Sequence, residues 1–149
     1  MTTTTRRILH PSDFSSASRR AFVKALEMAK SNRAELMILH VMAPLVPLAG
    51  EGYIPPAAYE QMTTSGKMWA TRKLDSLVAK AKRAGVRARG LLVDGVPHEQ
   101  IIRAAKAKKA DLLVLGTHGR TGVARVFLGS VAGRVIAGAP CPVLTVRGK

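Results

Sequence analysis

Short apolar runs alternate with amphipathic segments along the whole chain, and this alternation restricts the fold more than any other feature. Ile8 and Leu9 lie in the first run, Arg7–His10, and the second run, Leu36–Val41, is apolar except for His40. Continuous apolarity is typical of strands covered on both faces. The segment after the first run instead has helical spacing, with apolar residues at Phe22, Ala25, Leu26 and Ala29.

The order of the elements predicts an α/β fold. Strands that alternate with helices form right-handed crossovers, and so a parallel sheet with helices on both faces. With 149 residues and no internal repeat, we expect a single domain over residues 1–149. Arg87 and Arg89 place the third strand near a sheet edge. The later predicted elements are Val86–Val93, Leu112–Leu115 and Pro142–Val146 as strands, and about Tyr59–Ala84 and Ser130–Ala137 as helices.

The segment Met42–Ala58 predicts no regular element, because it holds four prolines and two glycines. Two interpretations are open. The segment is a mobile flap that orders over a bound ligand, or a loop pinned on the following helix by Leu45, Leu48 and Ile54.

The charge balance favours anionic partners. Lys and Arg number 24 against nine Asp and Glu, a net charge of +15, which suits nucleotides, nucleic acid or an acidic membrane surface. Aromatic residues are only 4%, which argues against a base-stacking platform. No helix-turn-helix, zinc-finger or RNA-recognition pattern occurs, so nucleic acid is a secondary expectation.

The cysteine count and the first residues bear on location. Cys141 is the one cysteine, so no internal disulfide forms, and a reducing compartment fits. The start of the sequence does not resemble a signal peptide, and no run approaches the ~18 apolar residues of a membrane span. We therefore expect a cytoplasmic protein.

Cys141 is interpreted as a small buried hydrophobe and not as a nucleophile, since no histidine adjoins it in the sequence. We also predict no protein metal centre.

The segment Gly116–Ser130, GTHGRTGVARVFLGS, carries the features of a phosphate cradle. Glycines let backbone N–H groups approach an anion, and Ser130 begins a helix whose amino end favours phosphate. Arg120 and Arg125 add positive charge. The alternative is a glycine-rich connection that binds nothing. Neither a Walker loop nor a dinucleotide fingerprint occurs.

The spacing of this segment resembles a known motif. Gly116, Gly119, Gly129 and Ser130 match G-x-x-G-x9-G-[ST], the ATP-binding motif of the universal stress protein family. The segments RRILHPSDFSSAS, LHV, DGVPHEQI and APCPVLTVR are also similar to that family, so the resemblance covers essentially the whole chain.

The resemblance implies a flavodoxin-like, doubly wound five-stranded parallel sheet of order 3-2-1-4-5. It implies ATP, or ADP or AMP, with Mg or Mn on the phosphates, and a homodimer paired through Cys141–Val146. Asp13 would approach the ribose or phosphates, and the Val41 backbone would meet the adenine. The expected nucleotide-binding residues are Pro11, Ser12, Asp13, Val41, Gly116, Thr117, His118, Gly119, Arg120, Gly129, Ser130 and Val131.

Several single residues have a plainer interpretation beside the functional one. Asp13 could be a bare helix N-cap, and His118 could be a solvated loop residue. His40 is expected to pack within the sheet. We expect structural or surface roles for His10 and His98, and core or interface roles for Met68 and Trp69.

The favoured function is a nucleotide-dependent regulatory or stress-response module. One alternative is a slow ATPase, although no P-loop Lys-Ser/Thr pair and no positioned general base is evident. The other is a basic protein that binds nucleic acid or an acidic membrane surface.

Overall fold

The structure, a computed structural model, describes residues 4–44, 52–118 and 128–148. Five parallel strands form one sheet in the order β3-β2-β1-β4-β5, which confirms the predicted flavodoxin-like fold. The elements are β1 Arg7–Pro11, α1 Ser16–Asn32, β2 Glu35–Met42, α2 Pro56–Arg83, β3 Ala88–Asp94, α3 Pro97–Ala107, β4 Leu112–Gly116, α4 Ser130–Gly138 and β5 Val143–Val146.

Helices cover both faces of the sheet. Ile8 and its same-face neighbours pack under α1 and α2, whereas Leu9 and its neighbours pack under α3 and α4. Four consecutive residues of β2, from Leu36 to Leu39, are fully buried. Alternate side chains of a strand point to opposite faces, so the continuous apolar run follows directly from burial on both sides.

The predicted irregular segment Met42–Ala58 is shorter in the structure. Met42 pairs with Asp94 as the last residue of β2. Helix α2 begins at Pro56, three residues before the predicted start at about Tyr59. The earlier start is possible because proline is well tolerated in the first turn of a helix. Residues 45–51 lie outside the described part of the chain, so the flap and the pinned loop both stay predictions.

Met68 and Trp69 are not core residues. The Met68 side chain is 56% exposed and that of Trp69 39% exposed. The prediction of a core role for these two residues is therefore wrong.

The predicted bounds of the other elements differ from the observed ones by one or two residues. Within the described residues no helix is long and apolar enough to cross a lipid bilayer.

Candidate functional site

A cavity of about 380 Å³ lies at the carboxyl edge of the sheet. The chain leaves β1 toward β2 on one side, while β4 lies on the other side of β1, so the strand order reverses here. Ten of the twelve residues predicted from the sequence line this cavity: Pro11, Ser12, Asp13, Val41, Gly116, Thr117, His118, Gly129, Ser130 and Val131. The other two, Gly119 and Arg120, lie outside the described residues.

Hydrogen bonds hold the turn after β1 in place. The Ser12 backbone N–H donates to the Leu39 carbonyl at 2.8 Å, and His40 Nδ1–H donates to the Ser12 carbonyl at 2.7 Å. The Asp13 carboxylate accepts the Ser15 N–H through Oδ1 at 2.9 Å. Ser15 is the N-cap of α1, so the bare N-cap interpretation of Asp13 is wrong. Asp13 is instead presented to the cavity by a turn anchored on β2.

Aromatic packing supports the same turn. Phe14 adopts a left-handed backbone conformation with φ 63°, which is unusual for a bulky residue and persists only where the surroundings enforce it. Its ring stacks on His40 with centroids 4.3 Å apart, and it forms an edge-to-face pair with Trp69 whose ring centroids are 5.6 Å apart. His40 packs within the sheet as predicted, but it also lines the cavity.

The ends of the glycine loop meet through a close backbone contact. The Gly129 N–H donates to the Thr117 carbonyl at 2.6 Å. A Cβ at residue 129 would lie 2.9 Å from that carbonyl oxygen, too close to fit without a shift of the backbone. A Cβ on Gly116 would have only ordinary contacts, at 3.4 Å or more. The structure therefore requires glycine at 129 so that the two ends of the loop can meet. The sequence analysis had explained this glycine differently, by the close approach of a bound phosphate.

The amino end of α4 gives the cavity its positive character. Ser130, Val131 and Ala132, the first three residues of the helix, line the cavity. Gly129 is the N-cap, and no side chain of the described residues caps the first amides. Free N–H groups and the positive end of the helix dipole together favour an anion at this position.

Apolar residues form the rest of the wall. Sequence reasoning missed Leu39, Pro97, Ile101, Leu115 and Ala132, which line the cavity beside the predicted residues. Ser18 also lines it. Leu39 and Leu115 belong to the face that packs under α3 and α4. Strand parity could have revealed them, because odd-numbered residues of β1, β2 and β4 share that face.

Acidic and metal-binding groups are sparse at the site. Asp13 is the single carboxylate among the residues that line the cavity. Among residues 4–44, 52–118 and 128–148, no three His, Cys, Asp or Glu side chains could hold a metal ion together. A divalent cation at this site would therefore need oxygen ligands from the bound molecule.

Two other titratable groups have structural roles. His10 is fully buried, and its Nδ1–H donates to the Val114 carbonyl at 2.8 Å. Burial lowers the pKa of His10 from 6.5 to about 4, so the ring is neutral at physiological pH. Burial also raises the pKa of the Cys141 thiol, and the nearby Asp111 charge adds to the effect. A raised pKa supports the prediction that Cys141 is no nucleophile.

Comparison with known proteins gives one consistent result. The universal stress protein family matches this chain over residues 4–147. Universal stress protein MJ0531 of Methanocaldococcus jannaschii is 38% identical over 144 residues, which cover 95% of this chain and 82% of that protein.

Solved structures of the same family share the fold. The universal stress protein UspA from Lactobacillus plantarum superimposes with a TM-score of 0.83 at 26% identity, covering 98% of this chain and all of that one. A universal stress protein solved in complex with cAMP gives a TM-score of 0.71 at 26% identity, over 99% of this chain and all of that one.

Proposed function

Because this chain belongs to the universal stress protein family, we propose that it binds an adenine nucleotide, ATP or its products ADP and AMP, in the cavity at the carboxyl edge. One observation supports this most strongly. Residues from four separate segments, chosen from the sequence alone, line a single cavity against the uncapped amino end of α4. The cAMP complex of a relative with the same fold supports an adenine ligand.

The proposed orientation follows from the chemistry of the walls. The phosphates would lie against the first amides of α4, where free N–H groups favour anions, with Thr117 and His118 lining the cavity beside them. The base would lie on the apolar side, near Leu39, Ile101 and the Val41 backbone. Asp13 would accept hydrogen bonds from the ribose hydroxyls, because a carboxylate next to bare phosphates would be repelled.

Mg²⁺ or Mn²⁺ would accompany the triphosphate on its own oxygens. The described part of the cavity offers Asp13 as its only carboxylate, so the residues fit an ion carried by the nucleotide and not a resident metal. Its role would be to neutralise phosphate charge, which ADP and AMP need less. ATP affinity should therefore depend on the cation more than AMP affinity does.

The proposed role is regulatory. Nucleotide occupancy would change the shape of the carboxyl edge and thereby partner choice, in a cytoplasmic protein that folds as one domain. A cytoplasmic location fits the single cysteine, Cys141.

We further propose a homodimer through β5. This strand lies at the sheet edge, and an unpaired edge invites pairing with a second copy. The carbonyls of Pro142 and Val146 accept the N–H groups of Leu113 in β4 and of Thr117 just after it, so the backbone of the alternate residue Thr145 points outward. Sedimentation velocity at micromolar concentration should show a dimer that Thr145→Pro weakens. A monomeric wild-type protein would contradict the interface.

The nucleotide proposal is tested by the ligand itself. Freshly purified protein is denatured, and the released small molecules are identified by mass spectrometry. Isothermal titration of the stripped protein then compares ATP, ADP, AMP and GTP, each with and without Mg²⁺. Saturable one-site binding of an adenine nucleotide supports the proposal. No binding of any of the four, by a protein that unfolds cooperatively, overturns it.

A further inference from the structure

A second concave surface lies at the opposite, amino edge of the sheet. This basic groove, with a volume of about 710 Å³, is lined by Thr4, Asn32, two carboxylates and five cationic side chains. The cations come from four places far apart in sequence: Arg6, Arg7, Arg33, Arg87 and Lys109.

The two carboxylates of the groove are already engaged. Asp111 Oδ2 accepts the backbone N–H groups of Arg6 and Arg7, each at 2.9 Å. Glu35 pairs with Arg89 Nε at 3.0 Å. None of the five cations forms an ion pair with any residue that the structure describes. Because Arg89 neutralises Glu35 and Asp111 offsets only one of the five cations, a net positive charge is available to a ligand.

Helix capping does not account for all of this charge. Helix α1 ends next to Arg33, and α3 ends just before Lys109. A helix carboxyl end carries roughly half a negative charge, so two such ends offset about one cation. Arg6 and Arg7 lie at the start of β1 and cap no helix, whereas Arg87 Nη2 donates to the carbonyl of Arg33, the C-cap residue of α1, at 3.4 Å. A positive excess remains in the groove.

The shape of the groove suits a chain of anions. Its cations stand at the starts of β3, β2, β1 and β4, which are consecutive neighbours in the sheet. Three inter-strand spacings of about 4.8 Å make this row roughly 14 Å long. A nucleic-acid duplex carries one phosphate per strand for about every 3.4 Å of its axis, so a row of this length can contact several neighbouring phosphates.

The lining residues point to backbone contacts and not to base recognition. Four of the five cations are arginines, whose planar forks bind phosphate oxygens in pairs. The described lining holds no aromatic or large apolar side chain, so it offers no base-stacking surface and nothing to insert into a lipid bilayer. A concave polar surface suits a strand of phosphates better than a flat membrane.

We propose that the basic groove binds the phosphate backbone of nucleic acid without sequence preference. The groove and the nucleotide cavity lie at opposite edges of the sheet and share no described residue. The two ligands therefore do not compete for a site. This proposal stands independently of nucleotide binding.

The test compares two double variants with the same loss of charge. Arg6→Gln/Arg87→Gln removes two groove cations. Arg72→Gln/Arg103→Gln removes two exposed arginines from α2 and α3 that line neither surface. Fluorescence anisotropy follows a labelled duplex of mixed sequence between about 50 and about 200 mM salt.

The groove variant should weaken duplex binding at least about tenfold. The slope of the logarithm of the binding constant against the logarithm of the salt concentration should fall by about 2 in magnitude, one for each lost phosphate contact. The control variant should stay within about twofold, because neither of its two arginines lines the groove. Both variants should bind ATP with the affinity of the wild-type protein, as measured by isothermal titration.

Three results would overturn the proposal. Wild-type protein that leaves the duplex unbound at about 50 mM salt contradicts it directly. Equal weakening by the two variants means that net charge alone attracts the duplex. Preferential sedimentation with phosphatidylserine vesicles, again lost in the groove variant, would assign the groove to a membrane surface instead.

Discussion

The two edges of the sheet present positive charge in different ways. Among the described residues of the carboxyl edge the backbone supplies it, through the uncapped first turn of α4. At the amino edge the helices end, so the backbone is locally negative there, and side chains supply the positive charge. An anion at the carboxyl edge thus needs glycine and correct loop closure, whereas one at the amino edge needs arginine.

This difference predicts that variants at one edge leave the other edge intact. Backbone donors are fixed in direction and suit one ligand of defined shape. Long flexible cations suit an extended polyanion whose register varies. A substitution that weakened binding at both edges would break this separation.

Gly129→Val should remove detectable ATP binding, a loss of at least about a thousandfold, or about 4 kcal/mol. Its Cβ would collide with the Thr117 carbonyl at 2.9 Å, so the loop ends separate and the amides of α4 move away from the phosphates. Isothermal titration measures the loss. Duplex binding at the amino edge should not change.

Gly133→Val is the matched control, since it adds the same atoms to the same helix. A Cβ there would meet only Leu128, at an ordinary 3.6 Å. ATP affinity should stay within about threefold, with a modest cost from the β-branched side chain. A folded Gly129→Val protein that binds ATP normally would show that loop closure does not build the cavity.

His10 lies on the central strand β1, and it makes the stability of the folded protein depend on pH. Burial lowers the pKa of His10 from its ordinary value of 6.5, which the unfolded chain would show, to about 4 in the folded protein. The neutral ring therefore stabilises the fold fully above pH 6.5, and this contribution is lost as pH falls toward 4. The loss amounts to about 3 kcal/mol, from roughly 1.4 kcal/mol per pKa unit.

Urea unfolding at several pH values measures this contribution. His10→Gln keeps a donor for the Val114 carbonyl but does not titrate, so the stability difference from wild type should shrink by about 3 kcal/mol between pH 7 and pH 4. His98→Gln should preserve the wild-type slope. If His10→Gln also retains that slope, the histidine is not held neutral by burial.

Asp13→Asn should weaken ATP binding by about tenfold, because a hydrogen bond to a charged acceptor contributes about 1.5–3 kcal/mol. The amide oxygen can still accept the Ser15 N–H, so the turn should survive. Asp75→Asn, on the exposed face of α2, is the charge-matched control. Tighter ATP binding by Asp13→Asn would mean that the carboxylate faces phosphate and not ribose.

Local chemistry predicted the alternation of strands and helices, whereas the strand order and the ten cavity residues were predicted from the resemblance to the universal stress protein family. Apolar runs identify strands, and Gly116, Gly129 and Ser130 carry a specific spacing. The left-handed Phe14 and its stack on His40 could not be foreseen, since they depend on tertiary contacts that override the residue's own preference.

The basic groove was not predicted from the sequence, for a different reason. Its cations occur singly or in pairs, each at an element end, and Arg6 and Lys109 are about a hundred residues apart. Only the parallel strand order brings them to one edge. A useful signal was available, however: Arg6, Arg7, Arg33, Arg87 and Lys109 all lie at or near the start of a predicted strand.

Hydrogen exchange with saturating ATP tests the separation of the two edges most directly. The amides of the first turn of α4, Ser130 to Ala132, should slow markedly on ATP addition, because they gain a phosphate acceptor. The amides of residues 4–7 and 109–111 at the amino edge should keep their rates. Protection at the amino edge instead, or unchanged exchange at the first turn of α4, would contradict the proposed site.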